Sequence, residues 1–400
     1  MIFLFINEKS QMLLPFLLIL SLIAKFIEID ISVPSFPDMV RYFNVSEGTI
    51  QLTIAYNFLG FCIGGLFFGP LSECYGRRRI MIIGNTLLLI GAVGCVFAPS
   101  VFSLLISRFI QGIGASTSVV VFAIVADSYQ GDKAIKFIGI MNSVLTVVMA
   151  IAPVLGSFIN EIVGWRGNYA TVAILCLISW VLLLFLLPET KKDRDIFSLK
   201  KMMKDYRKLL SSPRFVTLSL VPSLFSAAYM SFITCGPFLY MKTFGLSSTI
   251  YALHQGAIVG SFSLISLFSS KILKKLGAIW CVISGTSVGA IGSLLLVILS
   301  LIMPHSSYLV TLSMIIFSIG CAICQPVIFN ASINVFPEIK GTASSALSFI
   351  RAFVMAIFIS LTSYVYNGQA INISLLVLSA VALELIFTAY LLFSRSGENL

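Results

Sequence analysis

Gly69-Pro-Leu-Ser-Glu-Cys-Tyr-Gly-Arg-Arg-Arg79 is a short polar stretch between two long apolar runs, residues 50–68 and 80–98. Each run is long enough to cross a bilayer as a helix. The stretch is therefore predicted to be a tight hairpin at a membrane surface, with three consecutive arginines and one acid. Because arginine clusters beside membrane spans stay on the cytoplasmic side, this hairpin sets the orientation of the chain.

The composition indicates that the whole chain is an integral membrane protein. Of its 400 residues, 58% are hydrophobic and 10% are charged, and the mean hydropathy is +1.03. A soluble domain carries about 25% charged residues. The net charge of +10 does not indicate a nucleic-acid partner, because the basic residues lie on one side of the predicted membrane. The eight cysteines have no metal-binding spacing, so we expect no metal and no cofactor.

The apolar runs predict an all-α fold of twelve transmembrane helices in two six-helix bundles. The first bundle is expected over residues 1–188, an amphipathic cytoplasmic linker over 189–213, and the second bundle over 214–400. The predicted spans are 12–39, 50–71, 80–98, 101–125, 137–160, 168–187, 214–240, 250–272, 277–303, 306–333, 341–365 and 370–393.

The distribution of basic residues predicts which side is cytoplasmic. With the N-terminus inside, the cytoplasmic segments hold 20 lysines and arginines, and the outer loops hold three. Both termini are therefore expected in the cytoplasm. The halves also look related, since the hairpin has a degraded, basic counterpart at 272–277. Two parallel repeats with a binding site between them are a transporter architecture.

Charged residues inside predicted spans are the first candidate functional groups, because an ionised side chain in a bilayer is costly. Asp30 precedes Pro34 and Pro37, which interrupt regular helix. It either binds a proton or a cation, or only caps the broken helix. Lys25 and Glu28 share a helical face and either neutralise each other or line a cavity.

Three further charges lie within later spans. Arg108 must face protein or water, as a functional group or as a structural one. Arg351 and Glu384, in the eleventh and twelfth spans, either extend to the membrane interface or face the interior.

Two motifs resemble signatures of the major facilitator superfamily. The hairpin at 69–79 resembles its loop signature, with Glu73 where the family usually has Asp. The sequence Arg-Phe-Ile-Gln-Gly-Ile-Gly at 108–114 resembles a second signature. The resemblance covers essentially the whole chain.

Other motifs resemble the drug-exporting proton antiporters of that superfamily. Asp-Ile-Ser-Val-Pro-Ser-Phe-Pro at 30–37 is similar to their first-span motif, and Ala-Pro-Val-Leu-Gly-Ser at 152–157 to their fifth-span motif. Phe-Pro-Glu-Ile-Lys-Gly-Thr-Ala-Ser-Ser at 336–345, followed by Arg351, resembles the bicyclomycin-resistance (Bcr/CflA) branch, as does Gly-Pro-Phe at 236–238.

The resemblance implies a secondary active exporter, driven by the proton gradient, of hydrophobic and often cationic small molecules. It implies proton coupling or cargo binding by Asp30, Glu28 and Arg108. Pro153 and Gly156 are expected to pack the fifth span against glycines of the eighth, at positions 256 and 260. Candidate cavity residues are Lys25, Tyr56, Asn142 and Arg351.

The resemblance also implies that the hairpin forms an inner gate, through Gly69, Glu73, Gly76 and Arg77. Glu73 lies at the negative end of its helix and needs a positive partner, either Arg77 or the N-terminus of the eleventh span at 341–342. The alternative is a tight turn with no gating role.

Other function classes fit less well. A carrier of one metabolite, exporter or importer, stays open as the alternative. A membrane enzyme is disfavoured, because the two histidines and the lack of a nucleophile–base pattern provide no catalytic centre. No phosphate-binding GxxxxGK[ST] loop is present to use ATP. We expect a monomer in the inner (cytoplasmic) membrane of a bacterium, in contact with lipid, protons and a small-molecule substrate.

Overall fold

In the computed structural model, which describes residues 8–129, 132–191 and 197–393, all regular structure is helical. The first half contains α1 (Glu8–Asp30), α2 (Phe36–Phe43), α3 (Glu47–Tyr75), α4 (Arg77–Val96), α5 (Val101–Ala115), α6 (Ser118–Ser128), α7 (Asp132–Val163) and α8 (Trp165–Leu186). The rest contains α9 (Leu199–Leu210), α10 (Pro213–Pro237), α11 (Ser248–Leu267), α12 (Ser269–Leu276), α13 (Ala278–Ile302), α14 (Ser307–Asn334), α15 (Lys340–Val365) and α16 (Ala370–Phe393).

The helices reproduce the predicted set of spans. Eleven helical segments in the described part of the chain are long and apolar enough to cross a membrane. The helix α1 precedes them, is 23 residues long and packs against α7 and α8. The predicted fourth span is two helices, α5 and α6, and the predicted seventh is α10 continued by a π-helix at Phe238–Thr243.

The predicted first span, 12–39, is wrong in its outer part. The helix α1 ends at Asp30, a 3-10 turn covers Val33–Ser35, and α2 begins at Phe36. Proline has no backbone N–H and clashes with the preceding turn, so Pro34 and Pro37 prevent one continuous helix. A polar segment with irregular backbone therefore begins directly after Asp30.

The outer surface carries the apolar side chains expected of a lipid-facing protein. Ile90 on α4, Phe185 on α8 and Leu294 on α13 are each at least half exposed. Apolar exposure repeated over many helices exceeds what soluble monomers show. The protein is therefore a multi-pass membrane protein. Lys192, Arg194 and Arg395, which contribute to the predicted orientation, lie outside the described residues.

The helices of the two halves pack in the same order. In the first half α3 packs on α5, α4 on α5 and α8, and α1 on α7 and α8. In the second half α11 packs on α14, α13 on α14 and α16, and α10 on α15 and α16. The most extensive contacts between the halves are those of α3 with α15 and of α7 with α11. This arrangement agrees with the weak internal repeat in the sequence.

Glycines allow close helix crossings inside both halves. A Cβ added at Gly112 of α5 would overlap the carbonyl oxygen of Asn57 in α3. Its counterpart in the second half, Gly320 of α14, lies equally close to the backbone of Gly289 in α13. In a bilayer, helices associate through such small residues because lipid supplies no hydrophobic driving force between them.

The linker helix α9 packs on protein as well as facing solvent. Leu209 is buried in a cluster with Phe215 of α10 and Ala343 of α15. The hydroxyl of Tyr206 donates a hydrogen bond of 2.9 Å to the backbone oxygen of Leu66 in α3. Burial raises the pKa of Tyr206 to about 12, so this hydroxyl keeps its proton near neutral pH. The linker therefore contacts both halves, whereas the sequence predicted only an amphipathic cytoplasmic linker.

We expect Gly112→Ala to lower the stability of the folded protein, because the added methyl group must displace the α3 backbone at Asn57. Thermal unfolding of the purified protein in detergent measures this. The matched control is Gly139→Ala on α7, where nothing lies within 4 Å of the added Cβ. Alanine favours helix over glycine by about 1 kcal/mol, so the control should be neutral or slightly stabilising. Equal midpoints for the two variants would contradict the close crossing.

Candidate functional site

A buried ion pair connects α1 to α5 in the first half. The carboxylate of Glu28 is 1% exposed and lies 3.5 Å from a guanidinium nitrogen of Arg108, which is fully buried. The side-chain amide of Asn57 donates to the other Glu28 oxygen at 3.1 Å. Arg108 also donates to Gln111 at 3.0 Å, and its Cζ lies 5.5 Å from the ring centre of Tyr169. These contacts join α1, α3, α5 and α8.

The ion pair is incompletely satisfied. Two guanidinium nitrogens of Arg108, Nε and Nη2, have no hydrogen-bond partner. Buried ion pairs pay a large desolvation cost that only good geometry and further hydrogen bonds repay. The described contacts therefore repay only part of the desolvation cost of the pair, and its interaction energy depends strongly on the distance between α1 and α5.

Lys25 and Glu28 do not neutralise each other. The Lys25 ammonium donates to Ser21 at 2.9 Å, and Ser21 donates to Asn85 of α4 at 3.4 Å. The predicted Lys25–Glu28 pair is wrong, because Glu28 is turned towards Arg108 and Asn57. Helical spacing brings two side chains to one face, but neighbouring helices select their rotamers.

Asp30 is buried without a polar partner. It is 2% exposed, and in the described part of the chain no hydrogen bond or ion pair involves its carboxyl group. It does not cap the helix break, where Ser32 donates to the oxygen of Ile29 and Ser35 donates to that of Ser32. The alternative in which Asp30 only caps the helix is therefore wrong.

Asp30 lies at the boundary between the two halves. The hydroxyl groups of Tyr229 in α10 and Tyr251 in α11 are within electrostatic range of its carboxyl group. The turn after it, Val33–Ser35, packs against α7, α10 and α11. A movement between the halves therefore changes the surroundings of Asp30 more directly than those of Glu28.

Gly156 packs beside Asp30. A Cβ at Gly156 would overlap the carbonyl oxygen of Ile31, the residue after Asp30. The fifth span packs against the eighth, as α7 on α11, but the atoms nearest to an added Cβ at Gly156 belong to α1 and the break after it. Gly256 instead lies near the carbonyl of Ala150, with its added Cβ at 3.5 Å, and nothing lies within 4 Å of one at Gly260. The lack of a side chain at Gly156 therefore allows α7 to approach the backbone carbonyl groups at the end of α1 closely.

A cavity of about 100 Å³ lies between α7 of the first half and four helices of the second, α10, α11, α14 and α15. Among the described residues, Arg351 is the only charged one that lines it. The remaining polar lining is Thr146, Ser226, Tyr229, Ser263, Ser318 and Gln325. Drug-sized ligands need about 300 Å³ or more, so the cavity is contracted in this conformation.

Two buried acids lie close to the lining of this cavity. Of its lining residues, Tyr229 is within electrostatic range of Asp30, and Cys321 is within range of Glu384 on α16. Glu384 is fully buried and accepts a hydrogen bond of 2.6 Å from Thr388, while its second oxygen has no partner. Glu384 thus faces the interior of the second half and does not reach the membrane interface.

The predicted cavity residues are only partly brought together. Arg351 lines the cavity, but Lys25 is enclosed within the first half. Tyr56 is 37% exposed on α3 and does not line this cavity. Asn142 is exposed on α7, one and two turns from the lining residues Thr146 and Met149 on the same helical face.

At the face predicted to be cytoplasmic, Glu73 lies against the start of α15. A Cβ added at Gly341 would lie 3.0 Å from a Glu73 oxygen. Arg77 is not its partner: Arg77 pairs with Asp127 of α6 at 2.9 Å and donates to Ser72 at 2.6 Å. Of the two predicted partners, the helix N-terminus is therefore the one in contact, and it carries partial positive charge.

Two acids that bind Arg77 of the hairpin were not predicted from the sequence. Asp127 pairs with Arg77 at the C-terminal end of α6. Because that end of a helix carries partial negative charge, an acid there requires a positively charged partner, as Glu73 does, and this signal was present in the sequence. The carboxylate of Glu189 accepts from the backbone N–H of Arg77 at 2.9 Å and thus caps α4. Gly76 has φ +98°, and any side chain there would collide with Glu189.

The halves touch at both membrane faces. On the inner side, a Cβ at Gly69 would lie 3.8 Å from that of Ser345. On the outer side, Lys242 pairs with Glu47 at 2.7 Å, and the hydroxyls of Ser157 and Ser248 are 2.6 Å apart. Together with the small cavity, these contacts describe a closed conformation.

Two similarly packed helical halves with buried charges around a central cavity match one known family. The model of the major facilitator superfamily matches residues 18–359. The chain belongs to the major facilitator superfamily. It is therefore a membrane transporter, and the charges inside its spans lie in a molecule that moves a solute.

Curated relatives in this superfamily match nearly the whole chain. The multidrug resistance protein MdtM of Escherichia coli is 25% identical over 400 residues, covering 99% of this chain and 97% of MdtM. The chloramphenicol resistance protein CraA of Acinetobacter baumannii is 26% identical over 366 residues, covering 90% and 87%. The xylose transporter XylE of Escherichia coli, in a partially occluded inward-open conformation, has the same fold. The TM-score is 0.75 at 16% identity, with 96% and 97% covered.

We expect Glu28→Gln to destabilise the protein by about 3–5 kcal/mol, because it leaves the buried Arg108 guanidinium uncompensated. The double variant Glu28→Gln/Arg108→Gln should recover much of this loss, since it buries no net charge. Equilibrium unfolding of the purified protein compares the two. Glu338→Gln, which breaks the exposed pair with Lys208, is the control and should change little. A double variant less stable than either single variant would contradict the ion pair.

We expect Gly69→Cys/Ser345→Cys to form a disulfide in a background without the native cysteines, because the Cβ spacing of 3.8 Å matches that of disulfides. Ser157→Cys/Ser248→Cys, whose hydroxyl oxygens lie 2.6 Å apart, should do so at the predicted outer face. Electrophoretic mobility with and without reductant detects the bridges. Gly139→Cys/Ser345→Cys should stay reduced. Either bridge should stop transport, and reduction should restore it; full activity with the inner bridge intact would contradict the closed contact.

Proposed function

We propose that this protein exports hydrophobic small molecules in exchange for protons, by alternating access, across the inner membrane of a bacterium. It acts as a monomer with both termini in the cytoplasm and belongs to the bicyclomycin-resistance (Bcr/CflA) branch. Residues 1–188 and 214–400 are the two moving bundles, joined by the linker 189–213. The proton gradient supplies the energy, and no cofactor takes part.

The observation that carries this proposal is Asp30, an acid buried between the halves with no ion-pair partner among the described residues. Its ionised form is costly in that position, so the carboxyl group is best accommodated when a proton or a cation neutralises it. When the halves separate on one side, water reaches the group and the ionised form becomes acceptable. A proton is thus taken up on one side and released on the other.

The Glu28–Arg108 pair couples this step to the position of α1. Asp30 and Glu28 lie on the same helix, two residues apart. A shift of α1 that accompanies protonation of Asp30 stretches or closes the 3.5 Å contact with Arg108. Two guanidinium nitrogens of Arg108, Nε and Nη2, have no hydrogen-bond partner among the described residues. Arg108 therefore has donors free for a second carboxylate when a movement of α1 displaces Asp30 or Glu28. Arg108 is therefore a positioning residue that links the proton site to the packing of the first half.

The gate proposal rests on Glu73 and Gly341. An acid on the first half lies at the N-terminus of α15 on the second, and opening inwards must separate them. Arg77, held by Asp127 and Ser72, keeps the hairpin rigid so that separation occurs between halves. Gly69 and Gly76 allow the close approaches to Ser345 and Glu189.

The names of the relatives support the class of cargo. MdtM is a multidrug resistance protein and CraA a chloramphenicol resistance protein. The cavity agrees with apolar cargo, since Met149, Met230 and Met355 line it together with Phe262. Methionine side chains are flexible and polarisable and adapt to ligands of different shape.

Transport by the purified protein in liposomes under an imposed pH gradient tests the proposal. The compounds are a lipophilic cation, neutral chloramphenicol and a lipophilic acid. Wild type should accumulate at least one of them only when the gradient is present. Asp30→Asn should lose this dependence while still binding the compound, because the amide cannot exchange a proton. Asp205→Asn, an acid on the linker, is the matched control and should transport normally.

Two outcomes would contradict this function. Gradient-dependent accumulation by Asp30→Asn at the wild-type level would remove Asp30 as the proton site. A wild-type protein that moves none of the compounds but carries one polar metabolite down its gradient would instead be the metabolite carrier left open by the sequence.

A further inference from the structure

Arg351 is an uncompensated positive charge on the central cavity. It is the only charged residue of the lining, and no described residue forms an ion pair with it. Its buried Nε has no hydrogen-bond partner. The buried arginines and lysines of the described chain each have a partner: Arg108 has Glu28, Arg77 has Asp127, and Lys25 has Ser21.

The cavity offers no acid that could compensate Arg351. Asp30 and Glu384 are within electrostatic range of the lining residues Tyr229 and Cys321, but among the described residues neither acid lines the cavity or forms an ion pair with the guanidinium. The field in the cavity is therefore positive, and a guanidinium inside a membrane span requires an anionic partner or water.

From this geometry we infer that the cargo is an apolar molecule with a carboxylate, and that Arg351 binds that carboxylate. The planar guanidinium donates two parallel hydrogen bonds to a carboxylate, which a lysine cannot reproduce. The inference rests on the proposed function in one respect, namely that this cavity is the cargo site.

The rest of the lining fits the same class of molecule. Met230, Val259, Phe262 and Met355 form an apolar surface for the body of the cargo. Gln325 and the serines of α10 and α14 add uncharged donors near the charged end. A lipophilic cation would meet the guanidinium at short range in a low dielectric, where like charges repel strongly. This differs from the cationic cargo that the family resemblance implies.

Binding of three matched compounds to the purified full-length protein in lipid nanodiscs tests the inference. The compounds are 4-phenylbutanoate, 4-phenylbutanamide and 4-phenylbutylamine, which share one apolar body and differ in charge. Titration calorimetry measures each affinity. The carboxylate should bind about tenfold or more tightly than the amide, as expected for a charge-assisted hydrogen-bond pair, and the amine more weakly than the amide.

The variants identify the residue responsible. Arg351→Gln should bind the carboxylate no better than the amide, and Arg351→Lys should show an intermediate preference because it keeps the charge without the planar fork. Arg207→Gln, which removes an exposed arginine of the linker, should keep the wild-type preference. The unfolding midpoint of each variant without ligand shows that it is folded, and Arg351→Lys serves if Arg351→Gln is not.

The outcomes separate this inference from the proposed function. The inference is overturned if the amine binds wild type as tightly as the carboxylate, if no carboxylate binding occurs at millimolar concentration, or if Arg351→Gln keeps the preference. Proton-dependent transport of a lipophilic cation alone would leave the exchange function intact and reject the carboxylate. An Arg351-dependent carboxylate preference without proton-dependent transport would support carboxylate binding and reject the proton exchange.

Discussion

The cost of keeping ionised groups inside a membrane constrains most of this structure. The last six residues of α1 contain Lys25, Glu28 and Asp30, and the chain satisfies each differently. Lys25 donates a hydrogen bond to a serine, and Glu28 pairs with an arginine and accepts from an amide. Among the described residues, Asp30 has no hydrogen-bond or ionic partner. The helices around α1 must supply these partners at fixed positions, so the packing of the first half follows from the charges it encloses.

Close backbone packing allows this arrangement to remain rigid. Gly112 brings α5 against the backbone of Asn57, and the amide of Asn57 then reaches both Glu28 and the carbonyl of Arg108. The same helix crossing thus stabilises the bundle and orients the ion pair. Gly156 does the equivalent for the break after Asp30. The contacts between the halves are more polar than this packing within the first half.

Those contacts between halves differ in kind at the two faces. At the predicted outer face they are one hydroxyl pair, Ser157 with Ser248, and one ion pair, Lys242 with Glu47. At the inner face an acid lies on a helix N-terminus and the linker adds Tyr206 against the backbone of Leu66. The hairpin at 69–79 therefore works together with the linker. Its basic counterpart at 272–277 lacks an acid, so the two halves do not contribute equally to closure.

The sequence by itself determined the membrane class, the number of spans, the superfamily and the set of charges inside the bilayer. Those properties follow from local composition, hydrophobic run length and motifs, which need no knowledge of neighbours. Tertiary structure alone decided which charges are paired. In the structure, Glu28 pairs with Arg108 rather than with Lys25, and Arg77 pairs with Asp127 rather than with Glu73. Asp30 and Arg351 have no ionic partner among the described residues. These choices depend on rotamers and helix crossings set by residues distant in sequence, and in a low dielectric a difference of a few ångströms decides the energy of a charge.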